Sequence, residues 1–139
     1  MGGKGRYINK VKEDIEELLK SADDDLNSSI DNLKLNHYRI SCFLAQQAVE
    51  KYLKAFLLYI NNGYPFIHNI KELINKCIKY NKDFEYLLNI KPEKLNKYYS
   101  GTRYPPFIIV NEEDAKEAID IAEKVREFIY KKLNIDNNI

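Results

Sequence analysis

The sequence predicts an all-α fold, an up-and-down helical bundle of about five helices built on a long antiparallel hairpin of the two N-terminal helices. Three observations carry that prediction. Apolar residues recur at three- and four-residue steps through both N-terminal segments. Stop signals punctuate the chain at Asn61-Asn62-Gly63, with Pro65 just beyond, and again at Gly101. No internal repeat and no sustained strand alternation is present, since Ile108–Val110 is β-prone but short and isolated.

The first helix carries Ile8, Val11, Ile15, Leu18, Leu19, Ala22, Leu26, Ile30 and Leu33 on one face, with charged residues between them. A tight turn at Leu35–His37 leads to a second helix from about Tyr38 to Asn61. Its apolar positions wrap around much of the surface, so it should be the most buried element. Asn69 is placed as the N-cap of a shorter helix, and Glu72 completes a capping box. Ile70, Leu73, Ile74, Cys77 and Ile78 form that helix's stripe. Asp83–Leu88 reads as a short helical turn. Pro92 opens the next helix, which carries Leu95, Tyr98 and Tyr99 and fails at Gly101. Pro105-Pro106 keeps the following segment a loop. Asn111 caps the last helix, and Glu112, Glu113 and Asp114 suit its positive end. Ala115, Ala118, Ile119, Ala122, Val125, Ile129 and Leu133 supply its buried face.

The chain of 139 residues suits a single domain over 1–139, with ends at about 1–6 and 134–139 expected to fray. Lys and Arg number 22 against 21 Asp and Glu, a net charge of +1, which excludes a generally basic nucleic-acid binder but leaves a local basic cleft open. Cys42 and Cys77 fall in apolar patterns and read as buried thiols in a reducing compartment. With only His37 and His68 besides them, no metal site is expected. The start MGGKGRYINK lacks the apolar core of a signal peptide, and Arg6 stands where a myristoylation pattern needs Ser or Thr. No apolar run reaches a membrane span. The expectation is a cytoplasmic protein without a cofactor, and the abundance of Asn, Lys and Ile fits a prokaryotic source.

The second helix interrupts its apolar run with ordered polar groups. Gln47, Lys51 and Lys54 share one face, and Gln46 and Glu50 lie on the adjoining strip. One reading is a solvated stripe with an internal Glu50–Lys54 pair, which amphipathicity alone favours. The other is the lining of a cleft or a dimer seam. Arg103 offers a rigid fork for phosphate or carboxylate, and Tyr98, Tyr99 and Tyr104 offer stacking faces. Alternatively, Tyr104 plugs the bundle end and Arg103 caps the helix ending near Gly101. His68 precedes an N-cap, where helix entry and packing are its plain roles.

Three blocks taken together, FLAQQAVEKYLKAFL, HNIKELI and LNKYYSGTRYPP, resemble the HEPN domain family, in the branch with an A-Q-Q-A-x-E-K-x-x-K-A helix. The resemblance runs from the first helix to the last. It implies a helical bundle that homodimerises and pairs with a minimal nucleotidyltransferase, often as a toxin–antitoxin system. It also implies nucleotide or RNA binding through Gln46, Gln47, Glu50, Lys51, Lys54, His68, Arg103 and Tyr104. Ribonucleases of the family use Arg, then four to six intervening residues, then His. Here those positions hold Leu44, Ala45 and Gln46 after Arg39, and Ile108, Ile109 and Val110 after Arg103. The expected protein therefore binds its ligand without catalysis. His68 and Arg103 are the candidates should it be an atypical ribonuclease, and a pure interaction module is the other alternative.

Overall fold

A computed structural model describes residues 2–134, with side chains from residue 11 onward. The expectation of frayed ends at 1–6 and 134–139 lies outside the described side chains, Asn134 apart. The described residues form five α-helices and two 3₁₀ segments, with no strand among them. Helix α1 is Gly2–Lys34, α2 is Tyr38–Asn61, α3 is Ile70–Tyr80, α4 is the single turn Tyr86–Asn89 and α5 is Glu112–Lys132. The 3₁₀ segments are Lys82–Glu85 and Pro92–Tyr98.

Helices α1 and α2 form the predicted hairpin. Asn36 takes a left-handed backbone at φ 64°, and the His37 N–H donates to the Asn32 carbonyl at 2.8 Å. A short polar side chain tolerates that conformation, which turns the chain in three residues. Where the helices cross, the Ser29 hydroxyl donates to the Ser41 carbonyl at 2.7 Å and the Ser41 hydroxyl donates to the Ser29 carbonyl at 2.8 Å. Both serines are buried.

Helix α2 is the axis of the bundle, flanked by α1 and α5 and closed by α3 and the Pro92–Tyr98 turn. Ala45, Val49, Tyr52, Leu53 and Phe56 on α2 are buried, as are Leu73 and Ile74 on α3, and Ala118, Ala122, Val125 and Ile129 on α5. Fully burying each large aliphatic or aromatic side chain stabilises the fold by about 1.5–3 kcal/mol. Cys42 and Cys77 are free thiols in this core, as expected. Burial pushes the Cys42 thiol up to about 11, against a lowering hydrogen bond with Tyr98, and burial alone pushes Cys77 up to about 12.

The caps follow the sequence with three corrections, the first being that Asn69 caps α3 without the reciprocal Glu72 side-chain bond of a capping box. Asn69 accepts from the Glu72 N–H at 3.0 Å, and Asn111 and Asp114 form a reciprocal capping box at 2.9 and 3.0 Å. The left-handed residue that ends α2 is Asn62, at φ 57°, rather than Gly63. The segment opened by Pro92 is 3₁₀ rather than α, with Leu95 and Tyr98 buried and Tyr99 half-buried. Among the described residues no helix is long and apolar enough to cross a membrane.

Candidate functional site

The polar groups of α2 part into two clusters. Glu50 is buried at the centre of the first. Its Oε1 accepts from Gln46 Nε2 and its Oε2 from Lys54 Nζ, both at 3.1 Å. Gln47 extends the chain, its Nε2 donating to Gln46 Oε1 at 2.6 Å. His68 arrives from the loop before α3, and its Nδ1 lies 3.1 Å from both Glu50 oxygens. The Glu50–Lys54 pair therefore forms, but inside the protein rather than on a solvated stripe. A buried carboxylate is costly unless every lone pair is met, and here four contacts meet them.

Lys51 leaves this cluster. Its Nζ reaches Asp25 Oδ2 at 2.6 Å and Ser21 Oγ at 2.8 Å, so it ties α2 to α1. The i, i+4, i+7 spacing that groups it with Gln47 and Lys54 on an ideal helix does not decide where a long side chain points. Lys54 carries its charge between Glu50 and the ring of Tyr64, 5.6 Å away.

The cluster continues outward through aromatic contact. The His68 ring stacks on Tyr99, with centroids 4.2 Å apart and planes at 16°. The Arg103 guanidinium carbon lies 4.5 Å from the Tyr99 centroid, 5.0 Å from that of Phe43 and 5.3 Å from that of Tyr104. The His68 ring centre and the Arg103 guanidinium carbon are consequently within about 9 Å of each other. Arg103 also donates through Nε to the Tyr99 carbonyl at 2.7 Å, which is the capping role anticipated for it. Its two terminal nitrogens make no ion pair among the described residues. Tyr104 does not plug the bundle end, because it is 62% exposed.

A close backbone approach fixes the loop that presents Arg103. The Ile108 N–H donates to the Gly101 carbonyl at 2.9 Å, and the Tyr104 N–H donates to the Ser100 carbonyl at 3.1 Å. A Cβ on Gly101 would meet the Lys97 carbonyl oxygen at 2.7 Å and Ile108 at 2.8 Å, so glycine is required there. Next to the loop, Arg39 lies over the Phe107 ring at 4.4 Å, one helical turn before Phe43. Among the described residues no group of three His, Cys, Asp or Glu is arranged to hold a metal ion.

Sequence reasoning missed a second polar centre. Asp23 on α1 accepts from Tyr52 and Tyr130 hydroxyls at 2.5 Å each and from Arg126 Nε at 2.8 Å, joining α1, α2 and α5. Burial alone would raise the Asp23 pKa. The hydrogen bonds from Arg126, Tyr130 and Tyr52, with the Arg126 charge, outweigh burial and hold it below the ordinary aspartate value. Burial and the same hydrogen bond push Tyr130 up to about 12. The signal was present in the sequence. Tyr52 and Tyr130 sit on apolar faces, where a buried hydroxyl needs a partner.

Comparison with known proteins places this geometry in context. The sequence model of the HEPN domain matches residues 15–133. "Putative toxin MJ1304" of Methanocaldococcus jannaschii is 33% identical over a 127-residue alignment that covers 80% of this chain and 82% of that protein. The crystal structure of TT1696 from Thermus thermophilus superposes with a TM-score of 0.69 at 28% identity, covering 85% of this chain and 97% of that one. ST0689, described as an archaeal HEPN homologue, superposes with a TM-score of 0.61 at 26% identity, over 85% of this chain and 96% of that one. The family match spans all the elements that build the Glu50 and Arg103 cluster, and the chain belongs to the HEPN domain family.

Proposed function

We propose that this protein binds the phosphate of a nucleotide or RNA in the cleft between α2 and the Arg103 loop. In this reading it acts as a cytoplasmic homodimer with a nucleotidyltransferase partner, in a toxin–antitoxin setting. The observation that carries the reading is Arg103. Its guanidinium is cradled by Phe43, Tyr99 and Tyr104, while its outer nitrogens have no carboxylate partner among the described residues. A stacked, oriented guanidinium is pre-formed for bidentate capture of a phosphate. Tyr104 offers an exposed ring on which a base can stack. Glu50, Gln46, Gln47 and Lys54 form the internal scaffold that holds His68 at the cleft edge, and Lys51 braces α2 against α1.

The test is titration of ATP and short RNA into the pure protein, alongside Arg103→Ala. Saturable binding that Arg103→Ala abolishes, with fold and oligomeric state intact, supports the cleft. Absence of saturable binding in the unaltered protein ends the proposal and leaves a protein-interaction module. Size measurement alone and with the purified nucleotidyltransferase tests the assembly.

A second reading is a ribonuclease toxin using His68 and Arg103. It is favoured by their separation of within about 9 Å, which one nucleotide can span, and by the toxin name of the Methanocaldococcus relative. Metal-free RNA cleavage that His68→Ala abolishes is its signature, and RNA left intact by the unaltered protein ends it.

A further inference from the structure

We infer that the segment Phe107–Val110 is a pairing edge for a second copy of this chain, so that two copies join through an antiparallel pair of strands centred on Ile109. The inference rests on the homodimer reading and names its interface. It starts from the β-prone run that the helical bundle leaves unused. Ile108 and Val110 are partly buried and pack against the core, whereas Phe107 is 49% exposed and Ile109 98% exposed. Burial at every second residue is the pattern of a strand with one face on the core. No strand is present among the described residues to pair with it.

The backbone follows the same alternation. The Ile108 N–H turns inward and donates to the Gly101 carbonyl at 2.9 Å. Successive residues of a strand direct their N–H and C=O groups to opposite edges, so those of Ile109 face outward. Neither makes a hydrogen bond among the described residues. An open edge of this kind is a template for another chain. Ile109 offers a donor and an acceptor together, so it pairs with an identical residue across a two-fold axis, each N–H donating to the other's carbonyl.

The surroundings select a second copy as the partner. At the hairpin turn Leu35 is 63% exposed and Ile40 52% exposed, and Ile40, Phe107 and Val110 wall a cavity of about 520 Å³ beside the edge. Pairing about Ile109 covers these apolar groups from both sides. It also sets Phe107 of one copy opposite Asn111 of the other. Arg39 lies over Phe107 at 4.4 Å and makes no ion pair among the described residues. Glu112 and Glu113 follow Asn111, with side chains 53% and 81% exposed. The cationic end of each segment therefore meets the anionic end of the other, a match that the chain makes with itself.

The experiment is sedimentation equilibrium of the full chain across a range of concentrations. The unaltered protein should dimerise. Ile109→Pro removes both hydrogen bonds of the central pair and should weaken the dimer about thirtyfold. Ile109→Asp sets like charges opposite each other and should weaken it at least as much. The Ile109 side chain is almost fully exposed, so both variants should keep the fold, which circular dichroism checks. Arg39→Glu and Glu113→Arg should each weaken the dimer, and their combination should restore it. Amide exchange at Ile109 should slow as the dimer forms. A dimer as tight in both Ile109 variants, or one whose Ile109 amide exchanges freely, overturns the inference while leaving the homodimer reading standing. A chain that is monomeric at every concentration overturns both.

Discussion

Replacing Asp23 with alanine tests the three-helix junction most directly. The carboxylate accepts two tyrosine hydroxyls and one guanidinium N–H. A hydrogen bond to a charged group contributes on the order of 1.5–3 kcal/mol net. Asp23 and Arg126 are 27% and 24% exposed, so water reaches part of the site and recovers some of the loss. Three such bonds, discounted for that exposure, give an expected destabilisation of about 3–5 kcal/mol. For a chain of this size that corresponds to a melting point lower by roughly 12–20 °C. Asp23→Asn keeps the shape and one acceptor, and should fall between the two. The pH dependence adds a second signature. The folded carboxyl titrates below the ordinary value of 3.8, so the unfolded chain takes up its proton first as the solution is acidified. The stabilisation is complete above 3.8 and disappears as pH falls through the folded value, and both variants should lack this component of acid sensitivity. Urea unfolding monitored by far-ultraviolet circular dichroism from pH 7 to pH 2 reads both effects. A loss below about 1 kcal/mol for Asp23→Ala at pH 7 would refute the reasoning.

Gly101→Ala should cost about 1–3 kcal/mol, because its Cβ meets the Lys97 carbonyl at 2.7 Å and the backbone must move. The same shift should weaken ligand binding at Arg103, checked by thermal melting and titration on one sample. Lys51→Met removes a partly exposed ion pair to Asp25 and should lower stability by no more than about 1 kcal/mol, with nucleotide affinity unchanged. Cys42 and Cys77 are buried with thiols pushed up to about 11 and about 12, so an aromatic disulfide reagent at pH 8 should label neither in the folded protein and both in urea.

Helix periodicity and caps made the element order legible in the sequence, because both are local properties. Asn69 and Asn111 announce their helices through bonds made within three residues. The Pro92–Tyr98 segment was harder, since proline permits α and 3₁₀ starts alike and only packing of Leu95 and Tyr98 decides between them. At the candidate site, block order brought Glu50, His68 and Arg103 to notice, but not their relation. The Glu50–His68 contact bridges 18 positions, and the stack on Tyr99 bridges 31. Helical spacing also put Lys51 and Lys54 on one strip, whereas one reaches α1 and the other turns into the core. Asp23 stayed hidden because it sits in the run Asp23-Asp24-Asp25, which reads as solvated charge.

The exchange of bonds between Ser29 and Ser41 bears on how the chain reaches this structure. The two residues are 12 positions apart, so closing that contact restricts little of the unfolded chain. Sliding α1 along α2 by one turn would separate the serines by about 5.4 Å and leave both hydroxyls without partners in an apolar seam. Mispaired hairpins are thus penalised early, before α5 closes over α2 from the far end of the sequence. Folding should be rapid and begin at this hairpin, with mutations at the Ser29–Ser41 crossing slowing folding and mutations in α5 chiefly speeding unfolding.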